Sequence, residues 1–586
     1  MQLLLALLQE MASRAIIHAY PEVDPSLILA DVSQSTQPQF GHYQCNSALK
    51  ISKALGRNPR EVANHIADQL EKKASDGTLI VDRIEIAGPG FINIFLNPLF
   101  LANQVKESLS DAHLGAYLPK HKQRIIVEFS SPNVAKELHV GHLRSTIIGD
   151  CLARIMEFLG HDVLRLNHIG NWGTQFGMLI TYMQEEHAEV LHGEKIVDLP
   201  ILMQWYKQSK LRFDADPTFK KKAQLQVVAL QSGDLNSLKA WEKICEVSRC
   251  AFEEIYRILD VSINERGESY YNPILPEIVA KLEQKGLVTI SDGAKCIFME
   301  GFVNREGEPL PMIVQKSDGG YNYDTTDMAA LWQRVHEEKG ERVIIVTDAG
   351  QSLHFQMIFK AAALAGFYDP LHVRMDHVPF GVVLGPDGKK FKTRSGETEK
   401  LVDLLKEAVN RAQSILAERL PNVPNEELDT MARILGIDAV KYADLSCHRV
   451  KDYVFSYDRM LKFEGNTAAF LLYAYVRVQG IKRKSGKSID SLISQASITL
   501  EHASEIALAL RLRQFGEAID MVDRELLPNR LCDYLYDLAE KFHAFFRDCR
   551  VEGDPREESR LLLCEATGRI LQKGLDLLGL RTLDRM

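Results

Sequence analysis

No stretch of the 586-residue chain approaches the ~20 consecutive apolar residues of a membrane-spanning helix, so no membrane role is expected. Paired cysteines are lacking too. Nine are scattered from Cys45 to Cys564, none forms a C-x-x-C pair, and Cys245 and Cys250, the nearest two, have no counterpart elsewhere. This excludes the usual zinc-ligand and disulfide spacings, so no structural zinc is expected and reduced thiols in a cytoplasmic protein fit best. Positive charge is short: 70 Lys and Arg against 79 Asp and Glu leave a net charge of −9. Any binding of nucleic acid must then use local basic patches. Internal repeats and low-complexity tracts are also missing. The opening MQLLLALLQEMASRAIIHAY has a short apolar run with no basic residue before it and Glu10 within it. It reads as an amphipathic helix and not as a signal peptide.

What is present is a globular composition, 46% hydrophobic and 25% charged, long enough for about three or four domains. Residues 1–115 read as a small α/β unit, with the helical PREVANHIADQLEKK and the strand GFINIFL; the polar LGAYLPKHKQR after it reads as a linker. The segment 116–400 alternates strands and helices. RIIVEF (124–129) is a buried strand. The apolar residues from Gly141 to Leu159 recur at helical spacing up to Gly160, and DVLRLNHIG (162–170) is a second strand. Strand, helix and strand within ~45 residues make a βαβ unit and imply a doubly wound parallel sheet. A polar helical insertion follows near 183–270, and the strand pattern returns with AKCIFME, RVIIVTDAG (342–350) and HVPFGVVLG (377–385). The remainder, 401–586, reads as an all-α domain.

Between the first strand and its helix lies SPNVAKELHVGHLRST (131–146). Ligands of open α/β sheets bind beyond the carboxyl ends of strands, and a helix N-terminus suits phosphate. His139 and His142, three apart, share a face and can donate to phosphate oxygens. Gly141 leaves room for a flat base against the backbone, and Lys136 adds a flexible cation. Together they describe a site where a nucleotide's α-phosphate is attacked, with donors placed where charge builds on phosphorus.

SSPNVAKELHVGHLRST resembles the HIGH-region signature of class I aminoacyl-tRNA synthetases, and the flanking SPN and RST resemble the arginyl-tRNA synthetases in particular. The likeness continues through NHIGNWGTQFG (167–177), YDTTDMAAL (323–331), DAGQSLHFQ (348–356), KTRSG (392–396) and DYVFSYDRMLKFEGNTAAFLLYAYVR (452–477), in order and over most of the chain. It implies a Rossmann-type catalytic domain, an N-terminal domain touching the tRNA elbow and a C-terminal all-α anticodon-binding domain. The reaction it implies activates L-arginine with ATP and magnesium, then transfers it to the 3′-terminal ribose of tRNA(Arg). By the same resemblance His139, Gly141 and His142 hold ATP, with His354 near the nucleotide. Asn133 holds the amino acid's α-amino end, and Glu128, Tyr323, Asp327 and Gln351 line its pocket. A monomer is the family expectation. The physics suits a guanidinium, which needs planar acidic acceptors.

Two departures stand out. The position of the family's KMSKS loop holds Lys390, Phe391, Lys392, Thr393 and Arg394, without the final lysine. A lysine just before H-x-G-H is thought to compensate in this family, and Lys136 stands there. Lys390, Lys392 and Arg394 remain ATP-binding candidates on a glycine-bounded loop able to close. The second departure is Asn171, where the family often has Asp. For RNA, the basic VRVQGIKRKSGK supplies Lys482, Arg483, Lys484 and Lys487, and Tyr453, Tyr457, Tyr473 and Tyr475 precede it. Tyr453 is the aromatic assigned to tRNA, although tyrosines in a helical bundle are more often core. Two alternatives stay open: an H-x-G-H nucleotidyltransferase for another carboxylate, and a catalytically dead RNA-binding paralogue.

Overall fold

The computed structural model describes residues 2–586 except 75, 192, 194, 386 and 390–399. The chain forms two compact units, His121–Met460, and Met1–Lys120 together with Leu461–Met586.

In the first unit the apolar runs become strands β1 (Arg124–Glu128), β2 (Asp162–Asn167), β3 (Asn264–Glu265), β4 (Arg342–Asp348) and β5 (Arg374–Phe380). They lie in the order β5-β4-β1-β2-β3, every neighbouring pair parallel. This is the Rossmann order, and it reverses between β1 and β4. Chain leaves those two strands toward opposite sides, which opens a crevice at their carboxyl ends. Three helices shape the crevice: α1 (Val140–Phe158), α2 (Tyr323–His336) and α3 (Ser352–Leu364). Ile126, Val343 and Ile345 join one core with Met328 and Leu331 of α2 and Ile358 and Ala361 of α3. Alternate residues Ile125, Val127 and Ile344, also buried, turn to the face where α1 packs. Each such side chain contributes about 1.5–3 kcal/mol by leaving water. That is why the middles of β1 (125–127) and β4 (343–346) are continuous β-branched runs, with no polar alternation.

The expected helical insertion is present as Leu199–Ala215, Pro217–Gln231 and Leu235–Leu259. Each is opened by an aspartate (Asp198, Asp216, Asp234) accepting from first-turn amides. AKCIFME does not join the parallel sheet. It lies in Ala294–Val303, the centre of an antiparallel trio with Thr289–Ser291 and Pro309–Gln315. HVPFGVVLG is also divided. β5 ends at Phe380, and Val383–Leu384 pairs with Tyr453–Val454.

The helical stretch from 401 splits as well. Helices α4 (Leu401–Arg419) and α5 (Asn425–Leu445) belong to the first unit. Arg144 of α1 meets Asp444 of α5 at 3.1 Å, both side chains fully buried. Arg144 also donates to the carbonyl of Gly381 at 2.7 Å. Removing one partner of such a pair costs about 3–5 kcal/mol, because the other is left charged and dry.

The second unit joins the two chain ends. A four-stranded antiparallel sheet, ordered Val32–Gln34, Tyr43–Cys45, Phe91–Leu96 and Val81–Ala87, accompanies the helices of the C-terminal segment. Glu517 accepts from the amide of Leu5 and the hydroxyl of Tyr43, both at 2.8 Å. All nine cysteines are free. Among the described residues, no helix is long and apolar enough to cross a membrane.

Candidate active site

α1 begins where the sequence placed it, and its first residues fold on themselves. His139 is the N-cap, its Nδ1 accepting from the amide of Gly141 at 3.0 Å. His142 Nδ1 accepts from the amide of His139 at 3.1 Å, which closes a capping box made of two imidazoles. The ring centroids are 4.0 Å apart. A Cβ on Gly141 would stand 2.9 Å from Cε1 of His139. The glycine is therefore required by the histidine ring lying over it, and not only by an approaching base. Burial, and then the charge of Lys136, lowers the pKa of His139. Burial, His139 and Lys136 bring His142 to about 3. Both rings are neutral at pH 7. Each accepts through Nδ1, so each carries its proton on Nε2 and offers one N–H donor.

The loop between β1 and α1 holds three non-glycine residues in the left-handed region, Ser130 (φ 69°), Ser131 (φ 47°) and Ala135 (φ 60°). Each costs about 1–3 kcal/mol and persists only where surroundings enforce it. They do so here. The amide of Ser130 donates to Ser145 Oγ at 2.9 Å, and that of Ser131 to Asn167 Oδ1 at 3.0 Å. Val134 N–H reaches the carbonyl of Gly170 at 3.1 Å, while Gly170 N–H reaches that of Pro132 at 3.0 Å. A Cβ on Gly170 would collide with Asn133 Oδ1 at 2.1 Å. Asn133 and Lys136 are exposed on this loop. Asn171, the departure from Asp, accepts from the amide of Ser269 through Oδ1 at 2.9 Å, a bond that a carboxylate oxygen makes equally well.

Across the crevice α2 and α3 assemble an acidic hollow. Tyr323 and Asp327 share a face of α2, and both meet His354 of α3. Asp327 Oδ2 is 2.6 Å from Nε2, and the two ring centroids are 5.1 Å apart. Asp324 adds a contact to His354 Nδ1 at 3.2 Å. Burial works against charge on His354, but the bonds to Asp324 and Asp327 prevail and raise its pKa to about 9. His354 is thus an imidazolium set among acids. It is expected near the nucleotide, and its direct partners within the protein are Asp324 and Asp327. His168, after β2, lies 3.7 Å from the other oxygen of Asp327. Glu268 completes the group. Burial, and then the Asp327 charge, pushes its carboxyl up to about 7 against a bond from the Trp172 backbone. Sequence reasoning passed over Glu268, since no motif marks a lone glutamate after a polar insertion. Asp324 and His168 lay unremarked inside quoted motifs.

Other expected positions divide. Glu128 ends β1, but it is only 4% exposed, and its Oε2 lies 2.5 Å from Nη2 of buried Arg334 on α2. Its charge is already matched from within the protein. Gln351 sits exposed in the 3₁₀ turn after β4, bonded to Asp348 at 3.4 Å. Lys390, Lys392 and Arg394 lie outside the described residues. The chain is next described at Lys400, which bridges His139, and Leu401 N–H donates to the carbonyl of Leu138 at 3.0 Å.

In the second unit the basic run is largely committed. Lys482 pairs with Glu565 at 2.5 Å and Lys487 with Glu558 at 3.2 Å, while Arg483 donates to the carbonyl of Asp584 at 3.1 Å. Lys484 is exposed. Tyr453 belongs to the first unit and is 8% exposed, with the Arg144 guanidinium 5.1 Å from its ring. Its core placement removes the ring face that stacking on RNA would need. Tyr473, named beside the basic run, belongs to a larger aromatic cluster. Arg477 lies between the rings of Tyr473 (4.7 Å) and Phe546 (5.0 Å), which are 37% and 40% exposed. The His543 and Phe470 rings continue it, 5.0 Å apart. Phe546 and His543 come from Asn529–Asp548, distant in sequence from the basic run.

Comparison with known proteins covers the chain almost end to end. Residues 104–457 match the catalytic domain of class I tRNA synthetases (R), 471–586 the DALR anticodon binding domain, and 6–96 the arginyl-tRNA synthetase N-terminal domain. An arginine–tRNA ligase of Protochlamydia amoebophila is 58% identical over 589 residues, covering 100% of both chains. One from a Nostoc species is 52% identical, covering 97% of this chain and 96% of its own. Among solved structures, an arginyl-tRNA synthetase of Plasmodium falciparum aligns over 100% of both chains with a TM-score of 0.88 at 33% identity. That of Thermus thermophilus aligns as fully with a TM-score of 0.79 at 25% identity.

Proposed function

We propose, for a chain that belongs to the arginyl-tRNA synthetases of class I, a division of its reaction between the two sides of the β1/β4 crevice. The reaction is ligation of arginine to tRNA with ATP as substrate. One observation carries the division: neutral histidines offering N–H donors stand at one helix start, and an acidic hollow charged for a cation stands on the facing helices.

In the first step a carboxylate oxygen of arginine bonds to the α-phosphorus of ATP, the bond to the β-phosphate bridge breaks, and pyrophosphate leaves. The Nε2–H groups of His139 and His142 steady the charge gathering on the α-phosphate oxygens, and neither acts as a base. Lys136, whose charge both rings feel, supplies the cation missing from the KMSKS position. Lys390, Lys392 and Arg394 are assigned to ATP by the family likeness alone. Magnesium, if bound with ATP, would supply charge to the leaving pyrophosphate; among the described residues no group of three or more acidic, His or Cys side chains forms a metal site for it.

The guanidinium enters against Asp327 and the face of Tyr323. His354 holds Asp327 in place, Glu268 adds a further carboxyl that ionises as a guanidinium enters, and Glu128, balanced by Arg334, forms the dry end of the pocket. Asn133 and Gln351 meet the α-amino end. In the second step the terminal ribose of the tRNA takes the arginyl group and AMP leaves. Tyr473, Arg477 and Phe546 give single-stranded RNA a stacking surface, with Arg483 and Lys484 toward phosphates. The protein acts as a cytoplasmic monomer.

Arginine-dependent exchange of pyrophosphate into ATP, in the presence of tRNA, tests the reading. It is expected with arginine, and its loss is expected in His139→Ala. Full exchange in that variant overturns the division.

A further inference from the structure

The helix Leu235–Leu259 belongs to the segment that looks like an insertion in the sequence, yet three of its side chains reach the loops at the β1 and β2 carboxyl ends. Tyr256 shares a hydrogen bond with Ser130 Oγ at 2.8 Å and accepts from Asn167 Nδ2 at 3.0 Å. Ser248 Oγ accepts from the amide of Ala135 at 3.0 Å and donates to the Ile244 carbonyl at 3.0 Å. Trp241 Nε1–H donates to the carbonyl of Asn171 at 2.7 Å. Two of the groups held, the Ser130 side chain and the Ala135 amide, belong to residues with positive φ. Ser248 is fully buried and Tyr256 is 6% exposed, so neither reaches a substrate. Burial also keeps the Tyr256 hydroxyl protonated, its pKa pushed up to about 12.

Sterics disfavour the left-handed conformation for serine and alanine. Left to itself the 130–135 loop would relax toward extended backbone and carry Asn133 and Lys136 elsewhere. Ser145 and Asn167 hold its first half. Its second half, entering Lys136, has Ser248 as its side-chain anchor.

We propose that the helix Leu235–Leu259 positions the reaction centre, with Tyr256 and Ser248 clamping the Ser130–Ala135 loop in the strained form that presents Asn133 and Lys136. The proposal rests on the assignment of those two residues to the substrates. Tyr256 and Ser248 are positioning residues, acting only through the loop.

The experiment uses the full-length protein and steady-state aminoacylation. Tyr256→Phe keeps the ring and removes the hydroxyl, and Ser248→Ala leaves the Ala135 amide unpaired. Each is expected to lower kcat about tenfold and to raise KM for arginine, with KM for tRNA unchanged. Ser248→Thr, which retains a hydroxyl, is expected to recover most of the loss. Tyr182→Phe serves as the control, since its hydroxyl bonds to Gln208 within the insertion and not to the loop. It is expected to behave as the unaltered protein. Tyr256→Phe and Ser248→Ala with kcat and arginine KM within twofold of the unaltered protein overturn the proposal. So does a loss that vanishes on cooling in step with thermal stability, which marks a general structural role. Full activity in Asn133→Ala and Lys136→Ala overturns the underlying assignment instead, whatever the helix variants do.

Discussion

His142 and His354 face the same crevice from opposite sides and carry opposite charge states. Burial and neighbouring positive charge hold His142 neutral, at about 3, whereas Asp324 and Asp327 hold His354 protonated, to about 9. Residue type did not decide this. Both rings are largely withdrawn from water. They differ in what their nitrogens touch: amide N–H groups at the start of α1, carboxylates between α2 and α3. One side can therefore donate neutral hydrogen bonds to phosphate, and the other is built around a cation.

Breaking the phosphate side should have the largest effect. His142→Asn removes a donor where charge builds, and kcat for arginine activation should fall about 10²–10³-fold. Affinity for tRNA should stay unchanged in a filter-binding assay. Asp327→Asn attacks the other side. KM for arginine should rise about a hundredfold, and the His354 titration followed by NMR should move down from about 9 toward the ordinary 6.5. Lys136→Ala should slow activation about tenfold while leaving tRNA binding nearly intact; activation at the normal rate would remove Lys136 from the phosphate site. Phe546→Ala should weaken tRNA binding about tenfold without altering arginine KM, and binding should fall steeply with added salt.

The smallest effect sharpens the comparison through pH. The His354 pKa is raised, so its contribution to stability is complete below 6.5 and is lost as pH climbs through about 9. The His142 pKa is lowered, so its contribution is complete above 6.5 and is lost as pH falls toward about 3. Histidine Cε1 resonances should show one ring charged and one neutral at pH 7. Equal titration of both near 6.5 would erase the distinction.

The junction at the start of α1 was legible because its parts are neighbours in the chain. Strand β1, the N-cap at His139, Gly141 and His142 fall within a few residues of each other, and local sterics and hydrogen bonding hold them together. Even so, Gly141 proved to serve the His139 ring. The acidic side was legible only in outline. Tyr323 and Asp327 share a helix face by spacing, but His354 comes to them from α3, and Glu268 from a turn after the insertion. Glu128 looked like an open acceptor because nothing local reveals Arg334. The proposed RNA surface was read from a basic run in which Lys482 and Lys487 are paired and Lys484 is exposed, and the aromatic cluster was legible only at Tyr473 because Phe546 and His543 come from a helix far away in sequence.

The amino-acid sequence by itself determined the family, the parallel α/β core and the place where the nucleotide signature meets a helix. These follow from β-branched runs, helical spacing and short-range motifs, which need no knowledge of distant chain. Tertiary structure alone decided the charge of each histidine, the partner of Glu128 and the anchoring of the 130–135 loop by Tyr256 and Ser248. The charges depend on burial and, for His354, on Asp324 and Asp327 brought to it from another helix; the partner of Glu128 and the loop anchors come from residues about 100 or more positions away, which only the folded order of strands brings together.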